Sequence, residues 1–262
     1  MDYKTLDVEL KDNILKVTLN RPNDANSISL PLAKELMDLF TRECENPEIR
    51  AVVLTGAGKL FCAGGDLETM LAQGENTKVF LRELTSYLHA AVARMSVMNA
   101  PVIAAVNGTA AGAGMALACA ADLAICEESS RFVLAYTKVG LVMDGSSSWY
   151  LPRIVGLRRA MELALDNRML SSQEALDWGI INRIAPDGEV VDHAMEWAKQ
   201  LANGPTGSFG VVKNMLRQSL QTDLDRQLEV ESMLMSAAAE SDDGQEGMRA
   251  FFEKRPPNFK GS

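Results

Sequence analysis

A chain of 262 residues with 47% apolar and 23% charged residues has ordinary globular composition and can build one broad core or a core with a smaller appendage. Its formal net charge of -9 excludes a broad basic footprint for nucleic acid or anionic lipid, although a local basic pocket for phosphates stays open. Four cysteines (Cys44, Cys62, Cys119 and Cys126) lack CxxC spacing, and Met1-Asp2-Tyr3-Lys4 is no secretory leader, so reduced thiols in a cytoplasmic protein are expected.

Leu6, Val8 and Leu10 alternate with polar residues, as do Leu15, Val17 and Leu19, and Asp12-Asn13 between them predicts an opening β-hairpin. Arg21 to Ser27 is a loop. Ser29 or Ser27 can cap a helix running to about Glu45, with Leu32, Leu36, Leu39 and Phe40 inward. Ile49 to Gly56 reads as a strand, and Glu68 to Met98 as mostly helix, broken near Gln73-Gly74-Glu75-Asn76. Val102 to Asn107 is a second buried strand, and Gly112 to Ala121 a helix of small residues. The whole stretch from Ala100 to Cys126 is too weakly hydrophobic for a membrane span. Two further strands, Leu123 to Cys126 and Arg131 to Leu134, complete the alternation.

From Ser147 onward only helices are expected: Trp149 to Ile154, Leu157 to Asp166, Ser172 to Trp178, Val190 to Ala202, Ser208 to Leu220, Leu224 to Ser241 and Gly244 to Phe252. The pattern predicts an α/β fold, mainly parallel, with crossover helices and a separate helical layer or assembly arm at the end. The division expected is 1–200 for the core and 201–262 for the helical C-terminal region.

Two segments carry most of the functional signal: Phe61-Cys62-Ala63-Gly64-Gly65-Asp66-Leu67 and Asn107-Gly108-Thr109-Ala110-Ala111-Gly112-Ala113-Gly114. Each follows a buried strand and leads into a helix, so each leaves free peptide N–H groups at a helix start. Two such donors aimed at one point form an oxyanion hole, suited to acyl transfer or enolisation. Each segment also has a purely structural reading, as a tight turn or as a small-residue helix packed on the sheet. The second segment matches neither a nucleotide P-loop nor GxGxxG.

The chemistry also needs an acid or base. His89 and His193 fall in amphipathic helical patterns and read as surface or packing residues. Cys62 has no evident histidine partner and reads as a structural thiol, and Ser146-Ser147-Ser148 lacks the GxSxG of a nucleophile elbow. Among carboxylates, Asp66 and Asp122 suit capping or strand-end hydrogen bonding. Asp144 closes the apolar run Gly140-Leu141-Val142-Met143 at a turn before a helix. It reads either as an Asx-turn or N-cap, or as a partly desolvated base for a carbon acid. No metal-ligand cluster and no redox-cofactor motif is present.

These residues resemble the crotonase family, also called enoyl-CoA hydratase/isomerase, across essentially the whole chain. The matching pieces are Leu19-Asn20-Arg21-Pro22 with Asn26, the two segments above, Gly140-Leu141, Leu151-Pro152-Arg153 with Gly156, Ala175 with Gly179, and Phe251 to Pro257. The resemblance implies a spiral of ββα units with a helical C-terminal region, trimers often paired into hexamers, and acyl-CoA thioesters as substrates with no further cofactor. It puts the oxyanion donors at Gly65 and Ala113, with Ala63, Gly64, Asp66, Leu67 and Gly112 around them. Family hydratases carry two glutamates where this chain has Ala116 and Tyr136. Asp144 falls where family isomerases place their single acid.

The run Lys138 to Asp144 with Trp149 looks most like isomerases of phenylacetyl-CoA ring-epoxide breakdown, and also like enoyl-CoA isomerases of fatty-acid metabolism. One departure is Met143 in a place where proline is usual. Tyr136 and Trp149 are candidates for the acyl pocket, and Lys254, Lys260 or Arg255 for the CoA phosphates; plain core packing and a solvated basic tail are the competing readings. The implied activity is an isomerase that shifts a double bond or opens a ring epoxide through an enolate, with Asp144 as base. The alternatives are a hydratase or lyase using another carboxylate such as Glu68 or Asp66, and a non-catalytic acyl-CoA binder.

Overall fold

The computed structural model describes residues 3–261. The opening hairpin pairs β1 (Leu6–Lys11) with β2 (Ile14–Leu19) in antiparallel register. Asp12 and Asn13 both take positive φ, the geometry a two-residue type I′ turn needs. Helix α1 (Leu30–Glu43) is capped by Ser29, whose hydroxyl accepts from the Leu32 N–H. Then follow β3 (Ala51–Gly56), α2 (Leu67–Ala72), α3 (Thr77–Val97), β4 (Val102–Val106), β5 (Thr109–Ala111), α4 (Ala113–Ala120), β6 (Leu123–Glu127) and β7 (Arg131–Val133). Beyond them lie α5 (Ser147–Val155), α6 (Leu157–Asp166), β8 (Leu170–Ser171), α7 (Ser172–Asp177), β9 (Arg183–Ala185), α8 (Val190–Ala202), α9 (Thr206–Ser219), α10 (Leu224–Glu240) and α11 (Asp242–Glu253).

The main sheet runs β1-β2-β3-β4-β6-β9, parallel from β2 onward. Strand β3 is buried at every position, as a sheet covered on both faces requires. Its alternate side chains enter different cores. Val52 and Leu54 pack with Leu36, Phe40 and Leu88 of α1 and α3, whereas Ala51 and Val53 meet Ala194 and Trp197 of α8.

The all-helical expectation after Ser147 missed β8 and β9. Each has three residues or fewer, too short to show alternation, and both exist because a neighbouring strand supplies the ladder bonds. β5 was hidden inside the second glycine-rich segment; with β7 and β8 it forms a separate three-stranded sheet. Residues 201–262 hold α9 to α11. Arg50 fastens them to the core by donating to Thr206 Oγ1, Gly204 O and Phe259 O, as do Lys213 and Arg217, both ion-paired to Asp122.

The two glycine-rich segments lie side by side. Cys62 N–H donates to Thr109 O at 3.3 Å and Ala111 N–H to Cys62 O at 2.9 Å, a parallel bridge between loops from different strands. The approach is close enough that a Cβ on Gly114 would sit 2.3 Å from Cys62 O. Gly114→Ala is therefore expected to push the segments apart, costing about 1–3 kcal/mol of stability and most of the activity. Thermal denaturation, where each kcal/mol moves Tm by roughly 2–4 °C in a chain this size, checks it together with a turnover assay.

Candidate active site

The loop between β2 and α1 holds the first segment. Ala63 N–H donates to Ala25 O, Ile28 N–H to Gly64 O, and Asp66 N–H to Ile28 O. Asn26 is fully buried and ties its own loop down, accepting from Arg21 N–H and donating to Ala57 O and Leu60 O. In this parallel bridge the Gly65 N–H is the donor that Ile28 does not use. Ala113 is the first residue of α4, preceded by Gly112 at φ +50°, and a first-turn N–H has no partner inside its own helix. Among the described residues neither the Gly65 nor the Ala113 N–H has an acceptor.

Gly65 and Ala113 both line one cavity of about 200 Å³, whose walls include Leu84, Leu88, Tyr136 and Asp144. Asp144 is the only acidic residue on that wall among the described residues. The loop bearing it is fixed through its main chain: the Asp144 carbonyl accepts from Ser147 N–H at 3.2 Å, Ser147 Oγ at 2.7 Å and Tyr136 Oη at 3.3 Å. Gly145 and Ser146 both take positive φ, and the sharp reversal lets α5 start at Ser147 while the Asp144 carboxylate stays outside the helix. Among the described residues that carboxylate accepts from no main-chain N–H, so the Asx-turn and N-cap readings do not describe it. Ser146 is the residue at the cap position.

The expectation that apolar neighbours surround Asp144 needs correcting. Its side chain keeps 32% of its surface exposed, Val142 points largely into solvent, and its closest partner is polar. His89 Nε2 lies 2.8 Å from Asp144 Oδ1. The reading of His89 as a plain surface or packing residue is thus overturned. The hydrogen bond to Asp144 raises its imidazole pKa above the ordinary value, against a smaller opposing effect of burial. The one signal in the sequence was its place beside Leu88 on α3, at the edge of a stripe that faces the cavity; nothing in the sequence showed that Asp144, 55 positions on, would meet it.

The other expected residues divide. Tyr136 lines the cavity, its phenol pKa pushed up chiefly by burial. Trp149 lies outside it, on a second cavity of about 540 Å³, edge-to-face with Tyr150 and under Arg153. Leu67 lines an outer apolar groove that shares Met70, Leu81 and Leu141 with the inner cavity. Asp66 caps α2 through the Thr69 N–H and pairs with Arg21 at 3.0 Å; burial works to raise its carboxyl pKa, but the Thr69 N–H first and Arg21 second outweigh it and hold the carboxyl below the usual range. Ala63 is exposed, and Gly64 is buried against Ala111 and Gly112. Lys254, in left-handed conformation at the end of α11, is exposed and lines none of these cavities. Arg255 is taken up by Glu246 and Glu253. Burial pushes the Cys62 thiol up to about 12, consistent with a structural cysteine.

Neither position that the resemblance matches to a hydratase glutamate holds a carboxylate. Ala116 is fully buried, and a Cβ on Gly145 would sit 3.1 Å from its methyl group, while Tyr136 fills the other.

With this fold and site, the chain belongs to the enoyl-CoA hydratase/isomerase family, whose model matches residues 9–262. It is 40% identical over 261 residues, covering 100% of both chains, to a protein of Rhodobacter capsulatus named probable enoyl-CoA hydratase. It is 36% identical to the 1,2-epoxyphenylacetyl-CoA isomerase of Escherichia coli, covering 96% of this chain and 97% of the relative. It is also 36% identical to 4-chlorobenzoyl coenzyme A dehalogenase-2 of Arthrobacter sp, over 84% of this chain and 80% of that one. A solved enoyl-CoA hydratase from Polaromonas sp. JS666 matches with a TM-score of 0.93 at 31% identity, covering 97% and 99%. The fold is the crotonase fold expected above, and the activity is of the enoyl-CoA hydratase/isomerase type. Among the described residues no helix is long and apolar enough to cross a membrane.

Proposed function

We propose that the chain is an acyl-CoA isomerase that moves a double bond, or opens a ring epoxide, with Asp144 as its single base. One observation carries the reading: a cavity with two unpaired peptide N–H groups has one carboxylate on its wall. The thioester carbonyl sits between the N–H groups of Gly65 and Ala113. Asp144 takes an allylic or α proton, the donors hold the dienolate oxygen, and the same carboxyl returns the proton at another carbon. Each donor contributes about 3–4 kcal/mol to lowering the barrier. Hydration would need a second carboxylate to split water. Glu68 is exposed on α2 and off the cavity wall, and Asp66 is committed to Arg21 and Thr69.

The inner wall of Leu81, Leu84, Leu88 and Met70 suits an apolar acyl group, with Tyr136 beside it. The apolar residues left exposed on α9 and α10, including Leu216, Leu224 and Met235, support a homotrimer or a dimer of trimers.

The test is a panel of β,γ-unsaturated acyl-CoAs in heavy water. Migration to the α,β isomer with deuterium uptake and little hydroxyacyl product is expected; hydration as the main outcome rejects the reading. A second reading rests on the His89–Asp144 contact together with the dehalogenase relative. In it, Asp144 adds to an aryl carbon and displaces halide, and water activated by His89 cleaves the resulting ester. Chloride release from 4-chlorobenzoyl-CoA, with no deuterium entering the enoyl thioesters, would select it.

A further inference from the structure

We propose that His89 is the positioning residue for Asp144: it pins Oδ1 from the outer cavity and so presents Oδ2 to the carbon acid. This rests on the isomerase reading above and adds a residue to it.

Asp144 forms part of the wall between two cavities, the inner one with the peptide donors and the outer one of about 540 Å³; His89 lines only the outer. Helix α3 backs both. Leu81, Leu84 and Leu88 face the inner cavity, and His89, Val92 and Ser96 continue along the helix into the outer one, at the spacing of one helical stripe. The helix is anchored by buried Leu84, Leu88, Ala91, Val92 and Met95, so the imidazole is presented from a rigid support. On the other side, the Asp144 main chain is held by Ser147 and Tyr136.

What remains free is the carboxylate's own rotation, with open space on both sides of the wall. The single hydrogen bond from His89 to Oδ1 removes that freedom. Oδ2 has no hydrogen-bond partner among the described residues, which leaves it as the oxygen that meets substrate. A base held this way keeps the geometry proton abstraction requires, and loss of such alignment costs rate rather than binding.

His89→Ala, His89→Gln and Asp144→Asn in the full chain, assayed by double-bond migration with kcat and KM measured separately, test this. His89→Ala is expected to lower kcat by roughly 10- to 100-fold with KM unchanged. His89→Gln keeps an N–H donor within reach of Oδ1 but cannot relay a proton, and is expected to recover most of the loss. That recovery separates holding from proton transfer. A wild-type kcat in His89→Ala overturns the proposal. So does a His89→Gln enzyme that is as slow as a folded His89→Ala one, or equally a slow His89→Gln enzyme if the alanine variant fails to fold. Full activity in Asp144→Asn would instead overturn the isomerase reading itself, so the two failures are distinguishable.

Discussion

Asp144→Asn should slow double-bond migration by about a hundred- to ten-thousandfold and leave acyl-CoA affinity nearly unchanged. Asparagine has the same shape, and its carbonyl oxygen can still accept from His89 Nε2, so the loop and the wall between the cavities persist. What goes is the capacity to take and return a proton. The readout is kcat against KM, with deuterium uptake as the second channel. The same substitution tests the electrostatics. Asp144 raises the His89 pKa, so in the variant the imidazole should titrate at lower pH, which is easily followed by NMR in a chain with only two histidines.

The sign for stability follows. A raised imidazole pKa means the protonated pair stabilises the fold below the ordinary imidazole value, and this contribution fades as pH rises through the raised one. The stability gap between wild type and Asp144→Asn should therefore narrow with increasing pH. Both side chains are substantially exposed, so water screens the pair and the gap is small, about 0–1 kcal/mol.

How far the site could be read from the sequence depends on how local each feature is. The two donor-bearing segments were legible because a buried strand, a glycine-bearing turn and a helix start occupy consecutive positions, whereas Gly65 and Ala113 were singled out within them only by the family resemblance. The pairing of the two segments was expected, but the contacts that make it were not legible. It is made by ladder bonds between Cys62 and residues 109 and 111, and by the absence of a side chain at Gly114, none of which local patterning reports. His89 was misread for the same reason: its partner is on another element and its own helix is ordinarily amphipathic.

Asp144 was picked out as a candidate base, but the environment expected for it was wrong. Of the apolar residues before it, Val142 is largely exposed although it reaches the cavity with Leu141 and Met143, and the nearest partner of the carboxylate is His89. In the fold, the long strands and helices announced themselves by period. β8 and β9 exist only through pairing with neighbours already in place.

Ala113→Pro should lower kcat by about a hundred- to thousandfold while α4 stays folded. Proline has no N–H, so the substitution deletes one oxyanion donor without adding a charge or a polar group. The first position of a helix is also where proline is best tolerated, because its N–H makes no bond within the helix. Gly112 before it sits at φ +50° and ψ -118°, outside the right-handed helical region that a following proline disfavours.

The loss should fall on the chemical step. A ground-state thioester carbonyl gains little from a strong donor, and the dienolate oxygen gains much. KM should therefore move far less than kcat, and residual turnover should still depend on Asp144. If Ala113→Pro, with an unchanged far-ultraviolet spectrum and Tm, turned over at the wild-type rate, the N–H of residue 113 would not be a donor to the reacting oxygen, and stabilisation of the enolate would have to come from elsewhere on the cavity wall.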